Sequence, residues 1–437
     1  MRYPSRTVAV MINLKHRTPI IPRLASAATC WLALSASGLG AQEILDTEAV
    51  PDSRDVLFYR TAIADIESSQ GAYAEGLQEQ LLSLGLSLQQ QGRHEEAIRV
   101  LKRGVHLARI NDGLYSIDQI PLLQTEIASH MATGQFVTAD ERQMYLYRVQ
   151  QRSLDRGEIR AQALIQQARW QRRAYEMGVG EQGFTRLLAM WDLYRLALND
   201  VVAQEGDTSP SLLVPLEGML QSQYLIAGFH GETSSGGFGG DDLAARQDQG
   251  RFSAYRSQSY KKGQAVIQAI YDIEQKNNGG DKVAAAEHLT MLGDWMLWHG
   301  ERESAFKAYQ DAIMELAEAD DAQQEIDRLF GAPEPLPSLE GVRPLPPPIA
   351  PEQADLLIEF GISSRGRVVD LERLEETEAE STEADPEAVE AGPVVDNEAS
   401  SNRFMRKLRK TRFRPRFENG EPVATENIVW AYDTSNW

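Results

Sequence analysis

The stretch LLSLGLSLQQQGRHEEAIRVLKRGVHLA, residues 81–108, decides how most of this chain is read, because its pattern returns as LTMLGDWMLWHGERESAFKAYQDAIMEL at residues 289–316. Eight positions keep their spacing. Leu81, Leu84, Gly85, Leu88, Gly92, Ala97, Leu101 and Gly104 of the first correspond to Leu289, Leu292, Gly293, Met296, Gly300, Ala305, Tyr309 and Ala312 of the second. Apolar residues three and four apart place a stripe on each of two helices. Gly92 and Gly300 end the first helix of each pair, and Ala97 and Ala305 sit where the two helices touch. Gly85 and Gly293 let the second helix approach the first closely.

These stretches resemble tetratricopeptide repeats. A weaker copy, IASHMATGQFVTADERQMYLYRV at 127–149, keeps Gly134 and Ala139. Between Gly157 and Ala203 two further helices are expected, with Trp170, Leu188, Trp191, Tyr194 and Leu198 buried. Helical spacing and few prolines extend the pattern over 55–330. Such units stack because none buries its apolar face alone, so an α-solenoid of roughly four to six hairpins is expected. Gly206 to Pro210 reads as a loop. Gly228 to Asp242, GFHGETSSGGFGGDD, reads as a glycine-rich surface insertion at 228–242. A phosphate-cradling role is unsupported there, since no Gly-Lys-Ser/Thr follows and no strand precedes. Asp241 and Asp242 with His230 are its cation candidates.

The 437 residues exceed what one core normally serves, and the net charge of -20 argues against a nucleic-acid partner. Its single cysteine, Cys30, lies in the N-terminal leader, leaving the remainder without disulfide, thiolate ligand or thiol nucleophile. Arg2, Arg6, Lys15, Arg17 and Arg23 precede the apolar run LASAATCWLALSASGLGA, and Ala36, Gly38, Gly40 and Ala41 offer cleavage sites. Residues 1–41 therefore read as a signal peptide, or as an anchor if uncleaved, and 42–54 as an N-terminal extension. Export to the periplasm is the expected destination, with membrane contact only if the leader is retained.

After Phe330 the composition changes to GAPEPLPSLEGVRPLPPPIAPE. Proline at this density favours extended chain, so 331–353 reads as a stiff linker. A small module is expected over 354–437. Leu356, Ile358, Phe360 and Ile362 alternate as in a half-buried strand. Ser363-Ser-Arg-Gly366 turns the chain, Val369 and Leu371 carry the return strand, and a basic helix lies near Arg403 with Phe404 and Leu408 on one side. Asn419-Gly420 turns the chain again before a last strand with Ile428, Trp430 and Tyr432. Between the return strand and the helix lies a strongly acidic insertion at about 375–401, expected to be disordered and able to mask the basic run from Arg403 to Arg416.

Gly366-Arg-Val, then LRKTRFRP at 408–415 and NGEPV at 419–423, resembles the TonB C-terminal domain. The resemblance implies a periplasmic module that contacts outer-membrane transporters and whose last strand, Ala424 to Tyr432 here, accepts a short peptide by strand addition. It implies Thr425, Glu426, Asn427, Val429 and Trp430 as the contact positions. The family's energy transducers carry a histidine in their membrane helix, and the apolar run here has none.

No catalytic motif, metal-ligand spacing or cofactor motif is present, so neither an enzyme nor a bound cofactor is expected. The expected fold is α+β and multidomain: an all-α tetratricopeptide-like solenoid, then a small module of hairpin, helix and third strand. The expected role is a periplasmic adaptor engaging envelope proteins, among them a TonB-dependent outer-membrane receptor. The alternative is an energy transducer joining an inner-membrane proton-driven motor to such a receptor.

Overall fold

The computed structural model describes residues 52–180, 183–229, 242–374 and 397–435. These fall into two compact units divided between Leu154 and Asp155. The leader, residues 1–41, and most of the extension at 42–54 lie outside the described residues, as do 230–241 and 375–396. No described helix is long and apolar enough to cross a membrane.

The first unit is helical: α1 (Arg54–Gln70), α2 (Leu77–Gln90), α3 (His94–Asn111), α4 (Gln119–Ala132) and α5 (Phe136–Ser153). Ser53 caps α1, its hydroxyl accepting the Val56 N–H. Helices α2 and α3 form the first predicted hairpin. Leu81, Leu84 and Leu88 are buried against Ala97 and Leu101. A Cβ on Gly85 would lie 2.6 Å from Leu101 Cδ2, so only glycine permits this spacing. The weaker copy forms α4 and α5, with Ala139 fully buried.

The second unit opens with α6 (Glu158–Glu176) and α7 (Gly183–Glu205), which bury Trp170, Leu188, Trp191, Tyr194 and Leu198 as expected. The loop at Gly206 to Pro210 leads into a single 3₁₀ turn, Pro210–Leu212. Then follow α8 (Leu213–Gly228), α9 (Asp242–Asn278), α10 (Lys282–His299), α11 (Arg302–Leu316) and α12 (Ala322–Phe330). Helices α10 and α11 are the second quoted repeat. Here Gly293 faces Tyr309, 2.4 Å from a Cβ built on the glycine, at the same separation in sequence as Gly85 and Leu101. Helices α8 and α9 were hidden beside the glycine-rich insertion, yet use the same device: Gly218 lies under Tyr194 and Gly263 under Trp295.

The C-terminal strands and helix are β1 (Glu334–Leu336), β2 (Leu356–Ile362), β3 (Val368–Arg373), α13 (Asn397–Lys410), β4 (Arg412–Arg414), β5 (Arg416–Glu418), β6 (Glu421–Val423) and β7 (Thr425–Tyr432). β2 is the centre of an antiparallel sheet ordered β3-β2-β7. Its alternating Leu356, Ile358 and Phe360 pack with Phe404 and Leu408 of α13, Phe413 and Tyr432. Gly366, at φ 72°, makes the expected turn, and a Cβ there would lie 2.0 Å from the Phe413 carbonyl oxygen. Asn419 and Gly420, both at positive φ, turn β5 into β6.

Two boundaries differ from expectation. The segment 331–353 is no free spacer: β1 pairs with β4, Leu336 joins the core of the last hairpin, and Leu345 joins the core of the sheet. Proline-rich chain is extended already, and an extended chain can take an edge position where few donors are needed. The later helices and the C-terminal strands, all described residues from 155 onward, form one unit, within which the sheet keeps a core of its own. Finally, the insertion expected over 375–401 ends earlier, because 397–401 belong to α13 and Ser400 and Ser401 are buried.

Candidate functional site

The run Arg412-Phe413-Arg414-Pro415-Arg416-Phe417 fastens the sheet to the last helical hairpin. Phe413 enters the core of the sheet. Phe417 enters that of the hairpin, with ring centroids 5.5 Å from Tyr309, 5.4 Å from Phe330 and 6.1 Å from Phe306. Between them Arg414 Nη1 donates to Asp294 Oδ2 at 2.7 Å, both side chains nearly fully buried. Asp294, on α10, also accepts from the Tyr309 hydroxyl at 2.8 Å and the Ser338 hydroxyl at 3.1 Å. Burial works against the charge of Arg414, but Asp294, Tyr309 and Glu334 outweigh it and raise its pKa. Burial, with Asp294 second, holds the Tyr309 hydroxyl protonated far above its ordinary value. Arg412 Nη1 adds a bond to the Leu297 carbonyl at 2.7 Å.

This fastening was not visible in the sequence, where Arg412 to Arg416 read as the end of a basic run that the acidic insertion could mask. Asp294 follows Gly293 as Leu86 follows Gly85. Leu86 is 44% exposed, so the repeat itself leaves that face uncovered, and Asp294 is buried where Arg414 of β4 and Ser338 lie on it.

The five positions implied as a peptide site all lie on β7, an outer strand of the sheet. The Ala431 carbonyl accepts from Ile349 N–H at 2.9 Å, away from β2, while Leu357 opposite Ala431 faces β3 by accepting from Leu374 N–H at 2.9 Å. Residues alternate along a strand, so the N–H and C=O of Trp430 face β2 and those of Val429 face outward. No described strand pairs with that outer edge between Thr425 and Trp430. Glu426, Asn427 and Val429 are exposed, Val429 by 51%. Asn427 is at φ 55°, where the β2–β7 register shifts. Thr425 and Trp430 are half-buried, and the Trp430 ring, 5.0 Å from Phe360 and 6.1 Å from Phe413, holds the strand to the core.

Among the described residues no group of three or more His, Cys, Asp or Glu is arranged to hold a metal. His230 and Asp241 lie outside the described residues, and the side chain of Asp242 is likewise not described. His288 is buried and stacked on Tyr271 at 4.2 Å, and burial pushes its pKa down to about 4. His299 sits 4.3 Å from the Trp295 ring, and burial, then Arg412, lowers its pKa to about 4. Both are neutral imidazoles packed among aromatic rings.

No family model and no curated protein matches the chain. Among solved structures it is similar to BtubC (BKLC) from P. vanneervenii at 12% identity, covering 60% of this chain and 90% of that one, with a TM-score of 0.35. It is also similar to the nearly identical TPR-like repeats of a kinesin light chain candidate from Podosopora anserina, at 14% identity, covering 56% of this chain and 96% of that one, with a TM-score of 0.34. A singly substituted form of that protein aligns at 14% identity over 55% and 94%, with a TM-score of 0.35. The repeat architecture rests on the hairpins themselves.

Proposed function

We propose that this chain is a non-catalytic interaction protein whose helical hairpins form a scaffold and whose β7 edge takes up an extended segment of a partner. The observation that carries this reading is the outer edge of β7, where Val429 presents both backbone groups and an exposed side chain without a described strand beside them. Strand addition needs only such an edge: main-chain bonds supply affinity and alternate side chains supply selectivity. Trp430, Phe360 and Tyr432 hold the edge rigid, so less order is lost on binding. The basic leader and apolar run support export, and the resemblance to the TonB C-terminal domain supports partners in the cell envelope, a TonB-dependent receptor among them. The energy-transducer alternative needs an arm free of the body. The pairing of β1 with β4 takes that support away.

Proline at position 429 tests the proposal. The Val429 amide faces outward, so Val429→Pro removes a donor for an added strand while leaving the β2–β7 ladder intact. Short peptides selected from a displayed library on the full chain should lose binding to this variant. Peptides that bind both proteins equally would refute the edge as the site.

A further inference from the structure

A second candidate site lies in the same unit, away from the outer edge of β7. A cleft of about 540 Å³ opens between α8 and α10 on one side and the segment 336–344 with the end of α13 on the other. Tyr175 and Trp298 give it aromatic walls, Pro337 an aliphatic one, and Lys407, Lys410 and Arg412 line its rim. No described carboxylate lines it, in a chain whose net charge is -20. That segregation is the unusual fact, because acidic residues outnumber basic ones elsewhere.

Arg412 is fixed by its bond to the Leu297 carbonyl at 2.7 Å, which leaves the rest of its guanidinium fork to other acceptors. Neither Arg412 nor Lys410 has an ion-pair partner among the described residues. Burial, and then the nearby Arg367, lowers the pKa of Arg412. That shift is opposite to the effect of a neighbouring carboxylate, and an anion entering the cleft would relieve it.

We propose that this cleft binds a small organic anion, a carboxylate or phosphate carried on a flat apolar body. The anion lies against Lys410 and Arg412, and the body lies against Trp298 and Tyr175. The size suits such a ligand, since small-molecule sites typically span about 300–1,000 Å³. Charge-assisted bonds in a partly dry site with a preformed apolar wall are the ordinary means of holding one.

Titration calorimetry on the full chain tests this with naphthalene-2-carboxylate, 2-naphthyl phosphate and the neutral naphthalene-2-carboxamide. At least one anion should bind about tenfold or more tightly than the amide. The double substitution Lys407→Gln with Lys410→Gln should weaken it by a similar factor at unchanged melting temperature, whereas Lys261→Gln, on the exposed face of α9, should not. N-acetyl-Gly-Gly-Phe with a free or an amidated terminus separates the sources. Preference for the free acid over naphthalene-2-carboxylate assigns the anion to a chain terminus, and the reverse assigns it to a free metabolite. Equal binding of acid and amide, no binding of any anion at millimolar concentration, or full affinity in the double variant would overturn the proposal.

Discussion

Asp294 of α10 and Arg414 of β4 stand 120 residues apart in sequence and 2.7 Å apart in space, with only 5% and 8% of their side chains exposed. Removing one member leaves the other charge buried and uncompensated, which costs about 3–5 kcal/mol. Arg414→Met should therefore lower the unfolding free energy by about that amount in a urea titration. Adding Asp294→Asn to Arg414→Met should restore part of the loss. A single variant within about 1 kcal/mol of wild type would show that the pair does not hold the two parts together.

Glycine contacts predict opposite signs at two positions. Gly293→Ala drives a methyl to 2.4 Å from Tyr309 and should destabilise by about 1–3 kcal/mol. Gly250, exposed on α9, has nothing within 4 Å of a built Cβ. Gly250→Ala should stabilise by about 0.5–1 kcal/mol through helix propensity. Thermal melts of the two variants in parallel decide the matter, and a loss at position 250 would contradict it.

Proline should distinguish neighbours on β7. Val429→Pro should change stability by less than about 1 kcal/mol, because its amide serves no internal bond. Trp430→Pro breaks the bond to β2 and removes a ring packed on Phe360, so a loss of at least about 3 kcal/mol is expected. Similar melting temperatures for the two variants would mean that the strand faces the other way.

His288 makes the stability depend on pH. Its pKa is about 4 in the folded chain against an ordinary 6.5, so below pH 6.5 the unfolded chain takes up a proton that the folded one refuses. Stability from this group is complete above about pH 6.5 and falls as pH drops toward 4, by up to about 3 kcal/mol. His288→Phe keeps a ring beside Tyr271 and should flatten this part of the profile. Melting temperatures of both proteins between pH 7 and 4 measure the difference, and parallel curves would exclude the effect.

The helical hairpins were legible because their geometry demands small residues at fixed separations. Gly85 with Leu101 and Gly293 with Tyr309 keep the same spacing in sequence and the same contact in space. Strand β2 was legible through the alternation of Leu356, Ile358 and Phe360. The residues implied at the β7 edge do lie on one strand, and Trp430 also packs against the core of the sheet. Long-range partners were invisible, since nothing in Pro335 or Arg414 announces β1 or Asp294. Proline-rich chain and basic runs are usually solvated. Only the face of α10 that β4 covers makes this case different.

The pairing of β1 with β4 also defines a path for mechanical load. A peptide seated along β7 and drawn along its length would put β7 and β2 in shear, so that their hydrogen bonds would strain together rather than open in sequence. From the sheet the tension would pass through Phe413 and β4 to Arg414, and from Asp294 into α10. The edge would then be the grip and the last hairpin the anchor. The three-residue ladder between Glu334–Leu336 and Arg412–Arg414 would brace β4 along that path.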